Sequence, residues 1–197
     1  MSWLLIVVIV VVVLLALWAV LLYNGLVQKR NRVDNAWAQV EVQLKRRHDL
    51  VPNLVETVKG YAAHERGTFD SVTQARANAI NAQGPAQQAQ AENALTGALK
   101  SLFAVAEAYP ELKANENFLD LQGQLRDTED RIAISRQVYN DTVLTLNNAI
   151  QVFPAVLLAG ALGFSKREFF EIDDAAERDT PQVSFTPPAP TGEAPSA

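Results

Sequence analysis

Apolar residues recur along residues 33–61 in steps of alternately four and three positions, the spacing of one face of an α-helix. We call these positions the seam, and Arg47 is its single charged member: Val33, Trp37, Val40, Leu44, Arg47, Val51, Leu54, Val58 and Tyr61. The apolar phase continues unchanged across Pro52. A second helix that started there in a new direction would not be expected to keep this phase. We therefore predict one continuous helix with a kink at Pro52.

Later apolar positions follow in a shifted phase, as a stutter in the repeat would produce. They are Phe69, Val72, Ala75 and Ile80, and they predict that the first helix runs on to about Asn81. Gly84 and Pro85 end that helix, and two further helices are expected over about 85–108 and 116–153. Strand-like alternation is missing from the sequence. The predicted fold is all-α, an elongated antiparallel bundle of three to four long helices behind an N-terminal transmembrane helix.

The first 28 residues carry no charged side chain, and residues 3–23 form one apolar run, WLLIVVIVVVVLLALWAVLLY. About 20 apolar residues span a bilayer as a helix. Trp3 at one end and Trp18 with Tyr23 near the other suit interfacial positions. A cleaved signal peptide needs a basic start, a shorter apolar core and a small-residue cleavage site, and these are absent. We predict an uncleaved anchor over residues 1–26.

Basic residues follow the run directly, at Lys29, Arg30 and Arg32, and none precede it. The positive-inside rule therefore predicts an N-terminus outside and a cytoplasmic bundle over residues 27–172. From residue 173 the chain is acidic and then Pro-rich, which predicts a disordered tail over residues 173–197.

Residues 155–164, AVLLAGALGF, are too few to span a membrane. One interpretation is a short helix or turn that caps one end of the bundle. The other is an interfacial segment, with aromatic rings in the headgroup zone and basic side chains on anionic lipid. The interfacial residues would then be Phe164, Lys166, Arg167, Phe169 and Phe170.

The chain has no cysteine, which excludes thiolate nucleophiles, disulfides and Cys-based metal sites. His48 and His64 fit no metal-binding or di-iron motif, so solvated or capping histidines are expected rather than ligands. The carboxylates of residues 127–141 alternate with arginines, as on a solvated, ion-paired face. We expect no enzyme activity, no cofactor and no metal. The net charge of −5 argues against nucleic acid as a partner.

Two kinds of polar residue within the predicted helices have alternative interpretations. Arg47 could pair with a carboxylate on a facing helix, or extend its head to the surface. The asparagines could fix the register between helices, or act as caps and surface residues. They are Asn53, Asn93, Asn115, Asn117, Asn140 and Asn147.

Four long blocks of the chain resemble the LemA family, and the likeness covers about residues 23–185. The blocks are YNGLVQKRNRVDNAWAQVEVQLKRRHDLVPNLVETVKGYAAHE, LFAVAEAYPELKANENFLDLQ, EDRIAISRQVYNDTVLTLNNAIQVFP and GFSKREFFE. The resemblance implies a bacterial membrane protein with one N-terminal span, a cytoplasmic helical bundle and no established enzyme activity. The family includes a magnetosome protein tied to shaping magnetosome membranes, so the resemblance also implies a membrane-organising role.

Two hypotheses for the function follow from a long helical stalk that emerges directly from a membrane. The first is a homo-oligomeric scaffold that organises membrane lipid, since identical stalks on one membrane meet at high effective concentration. The second is an adaptor that binds another membrane protein, such as a sensor kinase or protease, through a helical face or the acidic tail. Both place the protein in the bacterial inner membrane.

Overall fold

A computed structural model describes residues 2–171, and the predicted acidic tail lies outside these described residues. Within them the structure is all-α, which confirms the predicted fold class. The helices are α1 Ser2–Lys59, α2 Arg66–Asn81, α3 Gly84–Glu107, α4 Pro110–Lys113, α5 Glu116–Gln151 and α6 Ala155–Leu158.

Helix α1 is a single element of 58 residues that contains Pro52. Every residue from 2 to 18, including Trp3 and Trp18, is exposed. Among the described residues this is the one helix long and apolar enough to cross a membrane. An exposed apolar surface of this size is typical of single-pass membrane anchoring.

Beyond the anchor, α1 packs along α5 in the antiparallel direction. The ring of Trp37 lies 5.1 Å from that of Tyr139, and Asn115 donates a hydrogen bond of 3.0 Å to the Tyr61 hydroxyl at the other end. The seam faces this interface and the core: Val33, Val40, Leu44, Arg47, Val51, Leu54 and Val58 are buried, and Trp37 is half-buried. Tyr61 differs, because it lies in the turn after α1 and its side chain is exposed.

The first helix does not run on to Asn81, and that prediction is wrong. It ends at Lys59, and the chain reverses through residues 60–65 before α2 begins. The shift in apolar phase therefore marks a change of helix and direction rather than a stutter. Helix α2 returns along α1, and a second reversal at Gly84, whose φ is +76°, starts α3. Glycine adopts this left-handed conformation without the cost that a Cβ adds.

The bundle has two parts of different thickness. In the half far from the anchor, four helices share one core that includes Leu54, Val72, Leu102 and Leu125. Asn115 accepts a hydrogen bond from the backbone N–H of Phe118 and caps α5 in this half. In the half near the anchor, α1 and α5 supply most of a second core, which Ala89 of α3 joins together with Ala159, Phe164 and Phe170. The chain after α6 fills the groove between α1 and α5 in this half.

Residues 164–170 lie along the groove between α1 and α5, running away from the anchor. Phe164 packs edge-on against Tyr23 at 5.8 Å, and Phe170 packs against Trp37 at 5.5 Å. Both phenylalanines are buried within the bundle, and the interfacial interpretation of this stretch stays a prediction. Arg167 pairs with Asp34 at 3.0 Å, while Lys166 and Phe169 are exposed.

Candidate functional site

The centre of the bundle contains a buried polar cluster that joins three helices. Arg47 and His48 belong to α1, Gln88, Glu92 and Thr96 to α3, and Glu129 to α5. Arg47 and Glu92 are, respectively, 1% and 0% exposed. Arg47 was expected either to pair or to reach the surface, and in the structure it pairs.

The Glu92 carboxylate accepts hydrogen bonds from three side chains. Arg47 Nη1 donates at 3.0 Å, His48 Nε2 at 2.7 Å and Gln88 Nε2 at 2.8 Å. Gln88 also donates to the carbonyl of Ala79 at 3.0 Å, which ties α2 to the cluster. Burial of a carboxylate is tolerated when its lone pairs are used in this way.

Arg47 is a bridge between α3 and α5. Its Nη2 donates to the Thr96 hydroxyl at 2.7 Å and lies 2.9 Å from a Glu129 oxygen. One guanidinium therefore faces two carboxylates, and its planar fork fixes the distance between both partner helices. Desolvation offsets much of the attraction in a buried ion pair, whereas removal of one partner leaves a costly unpaired charge.

His48 is buried and bonded to Glu92, which differs from the solvated or capping role expected from the sequence. His64 is exposed in the turn after α1. The two histidines therefore do not share a site. Within residues 2–171 the structure brings together no group of three or more His, Asp or Glu side chains that could hold a metal ion.

Pro52 leaves a backbone carbonyl of α1 without its helical hydrogen bond, and the structure supplies a partner that the sequence did not indicate. A proline has no N–H, so the carbonyl of His48, four residues earlier, loses its intrahelical bond. Arg76 of α2 donates its Nε to that carbonyl at 2.6 Å. The interruption in α1 therefore becomes an attachment point for α2.

We expect the effects of Pro52→Ala and Arg76→Ala to be non-additive. With Pro52 present, Arg76→Ala leaves a partly buried carbonyl unpaired and should lower the free energy of unfolding by about 1–3 kcal/mol. With alanine at 52 the carbonyl has a helical partner, so the same change should cost less than about half as much. Urea unfolding of the four variants measures the difference. Equal costs in both backgrounds would show that Arg76 does not act through the His48 carbonyl.

A cleft of about 460 Å³ opens between α3 and α5 above Arg47. Leu99, Phe103 and Leu125 form an apolar floor, and Lys100 with Arg126 lines the same cleft. Arg47 Nε is buried and has no hydrogen-bond partner among the described residues. The cleft therefore combines an apolar surface with cationic groups, and it suits an apolar segment that also carries carboxylates.

The asparagines of α5 have a role that was not among the alternatives considered. Asn147 and Asn140 each form two hydrogen bonds, through both side-chain amide atoms, with the backbone of the segment in the groove. Asn147 pairs with Arg167 at 2.9 Å for both bonds. Asn140 pairs with Phe170 at 2.9 and 3.1 Å. Tyr139 donates its hydroxyl to the Glu168 carbonyl at 2.8 Å. Burial raises the pKa of Tyr139 to about 12. These side chains satisfy a backbone segment that forms no ladder of its own.

Glu92 is the central residue that sequence reasoning missed, although a signal for it exists. The apolar positions Leu95, Leu99, Leu102 and Ala106 follow steps of four and three. Extending these steps backwards reaches Glu92 and then Gln88. A carboxylate on the seam of α3 and an arginine on the seam of α1 are the pair expected to meet in a shared core.

The model of the LemA family matches residues 36–185 of this chain. The chain belongs to the LemA family. The expected membership is thereby confirmed, and the match includes every residue of the buried cluster. It also extends beyond the described residues into the acidic tail.

Curated relatives of this LemA-family chain fall into two named groups. Magnetosome protein MamQ of Magnetospirillum gryphiswaldense is 30% identical over 189 residues, which is 82% of this chain and 70% of the relative. Magnetosome protein MamQ 2 of Paramagnetospirillum magneticum is 28% identical over 82% of this chain and 68% of its own length. Protein LemA of Metamycoplasma hominis is 25% identical over 79% of this chain and 72% of its own length. None of these names describes an enzyme.

Proposed function

We propose that this LemA-family protein is a non-catalytic scaffold that self-associates on the bacterial inner membrane and organises or shapes it. The N-terminus is placed outside and the bundle in the cytoplasm. The charge asymmetry around the anchor supports this orientation, because Lys29, Arg30 and Arg32 follow the span and no basic residue precedes it. The observation that carries self-association is an exposed apolar patch on the stalk.

The patch consists of Val42 on α1 with Ile134 and Val138 on α5. Val42 is 63% exposed, Ile134 64% and Val138 44%. Arg46 approaches Asp127 at 3.9 Å across the two helices, and Val42 lies one turn from Arg46 on the same face. Ile134 and Val138 lie two and three helical turns after Asp127, on the same face of α5. The three apolar side chains therefore form one surface on neighbouring helices.

The surroundings of the patch favour a second copy of the chain as its partner. Arg131 pairs with Asp127 at 3.0 Å, so the patch is bordered at one end by both signs of charge. When both anchors lie in one membrane, a two-fold axis along the membrane normal places the apolar patches of two copies side by side and their Arg46, Asp127 and Arg131 groups at the same height. Anchoring in one membrane keeps copies upright and at high local concentration, so a modest patch suffices.

We expect Val42→Asp combined with Ile134→Asp to shift the protein from oligomer to monomer. Facing carboxylates repel, and their desolvation opposes contact between copies. The measurement is chemical crosslinking in native membranes together with mass determination in detergent. Leu119→Asp on α5 is the matched control, since Leu119 is comparably exposed outside the patch. A wild-type protein that is monomeric in both measurements would contradict self-association.

The cleft between α3 and α5 favours a second candidate function, that of an adaptor. Its apolar floor and its cations, Lys100 and Arg126, suit an acidic, amphipathic segment of another membrane protein such as a sensor kinase or protease. Lys100→Glu with Arg126→Glu would then abolish a stoichiometric foreign crosslink and leave self-crosslinks intact. The scaffold hypothesis predicts self-crosslinks that this charge reversal does not change.

A further inference from the structure

The turn between α5 and α6, with the residues after it, exposes a cluster of large apolar side chains. Phe153 is 79% exposed and Leu157 is 70% exposed. The exposed members of this cluster, which we call the apolar tip, are Val152, Phe153, Val156, Leu157 and Leu162. Contiguous apolar surface of this kind on a folded protein marks a contact with a partner or a membrane.

The apolar tip lies beside the end of the anchor. Ile150 before it, Ala159 within the same segment and Phe164 after it share a core with Leu26, and Leu22 packs against that core. Phe164 also contacts the ring of Tyr23 at 5.8 Å. Leu22 and Tyr23 are the last residues of the apolar run. Since that run is about as long as the bilayer core is thick, the tip lies at the membrane boundary.

The two chain segments that meet at the apolar tip carry basic and no acidic side chains, although Asp34, just beyond the first segment, pairs with Arg167. Residues 1–33 and 142–167 contain no Asp or Glu, although the whole chain has a net charge of −5. These two segments supply a basic group at the anchor end: Lys29, Arg30, Arg32, Lys166 and Arg167. Arg30 lies over the Phe164 ring at 5.5 Å, and Lys166 is exposed. An apolar tip within a basic collar is the pattern of a surface that lies on anionic lipid.

We propose that residues 152–162 are a second membrane contact, which inserts the apolar tip at the boundary between the headgroups and the acyl chains. The segment is too short to span the bilayer, so it lies in the interface. Two attachment points, the anchor and the tip, fix the rotation of the bundle about α1. The proposal rests on the membrane anchoring of α1 and does not require self-association.

Nitroxide labels on single cysteines test this insertion, since the natural chain has no cysteine to remove. Full-length Phe153→Cys and Leu157→Cys are labelled and reconstituted into vesicles of phosphatidylcholine with phosphatidylglycerol. Leu15→Cys in the anchor reports lipid, and Leu119→Cys, outside the self-association patch, reports water; both natural side chains are exposed. Collision with oxygen, which concentrates in lipid, is compared with collision with a water-soluble nickel chelate.

We expect the oxygen-to-nickel collision ratio at 153 and 157 to be several-fold higher than at 119 and to approach that at 15. Ratios at both tip positions equal to that at 119 would overturn the proposal. Low collision with both reagents would also overturn it, because the tip would then be covered by protein. A monomeric protein with lipid-exposed tip labels would contradict the scaffold and leave the second membrane contact standing, so the two failures are distinguishable.

Discussion

Replacement of Glu92 by alanine is expected to lower the free energy of unfolding by about 3–5 kcal/mol, the usual cost of breaking a buried ion pair. The change leaves the Arg47 guanidinium in the core with Glu129 as its remaining carboxylate partner. It also leaves His48 and Gln88 without the acceptor they share. Urea unfolding of the detergent-solubilised protein, followed by circular dichroism, measures the loss.

Two further variants separate charge pairing from simple packing. Glu129→Ala removes a partly exposed partner of the same guanidinium, so we expect a loss of at most about 1 kcal/mol. Arg47→Leu combined with Glu92→Leu removes both buried charges and should be more stable than either single change. A double variant as unstable as the sum of the two single variants would mean that the pair has no coupling.

Replacement of Phe170 by alanine is the second large effect, with an expected loss of about 3–5 kcal/mol for a buried phenylalanine. Phe170 is fully buried, and its ring contacts that of Trp37 on α1. Its backbone is held by Asn140 and is unchanged by the substitution. The loss should therefore report the packing of the ring in the groove between α1 and α5. Thermal and urea unfolding measure it.

The neighbouring residue Phe169 provides the matched control for this change. It is 37% exposed, so Phe169→Ala removes the same atoms from a more solvated position and should cost less than about 1.5 kcal/mol. Equal losses for the two substitutions would contradict the packing of residues 164–170 in the groove between α1 and α5.

The sequence predicts the parts of this fold that depend on local periodicity. The seam of α1 and its continuity across Pro52 are properties of one helix, and the structure contains both. A cap was one of the alternatives for Asn115, and the structure selects it. The end of α1 at Lys59 was missed because a shifted apolar phase has two explanations, a stutter and a reversal. The sequence of residues 60–65 does not distinguish the two, because the reversal depends on the packing of α2 against the core.

The buried cluster and the groove segment depend on contacts between distant parts of the chain. Arg47 meets Glu92 across 45 positions, and Arg76 reaches the His48 carbonyl across 28. Periodicity indicates that a side chain faces a core, but it does not indicate which residue it meets there. For that reason the seam position of Arg47 was predicted and its partner was not.

By itself the sequence determined the anchor, the all-α fold and the basic residues after the span, because hydropathy, helical spacing and charge are local properties of the chain. Only the tertiary structure decided that Phe164 and Phe170 are buried while Phe153 and Leu157 are exposed beside the anchor. All four are apolar residues in one stretch, and composition does not distinguish them. Phe164 and Phe170 are buried because residues 164–170 lie in the groove between α1 and α5. Phe153 and Leu157 are exposed because they lie in and after the turn that precedes this segment.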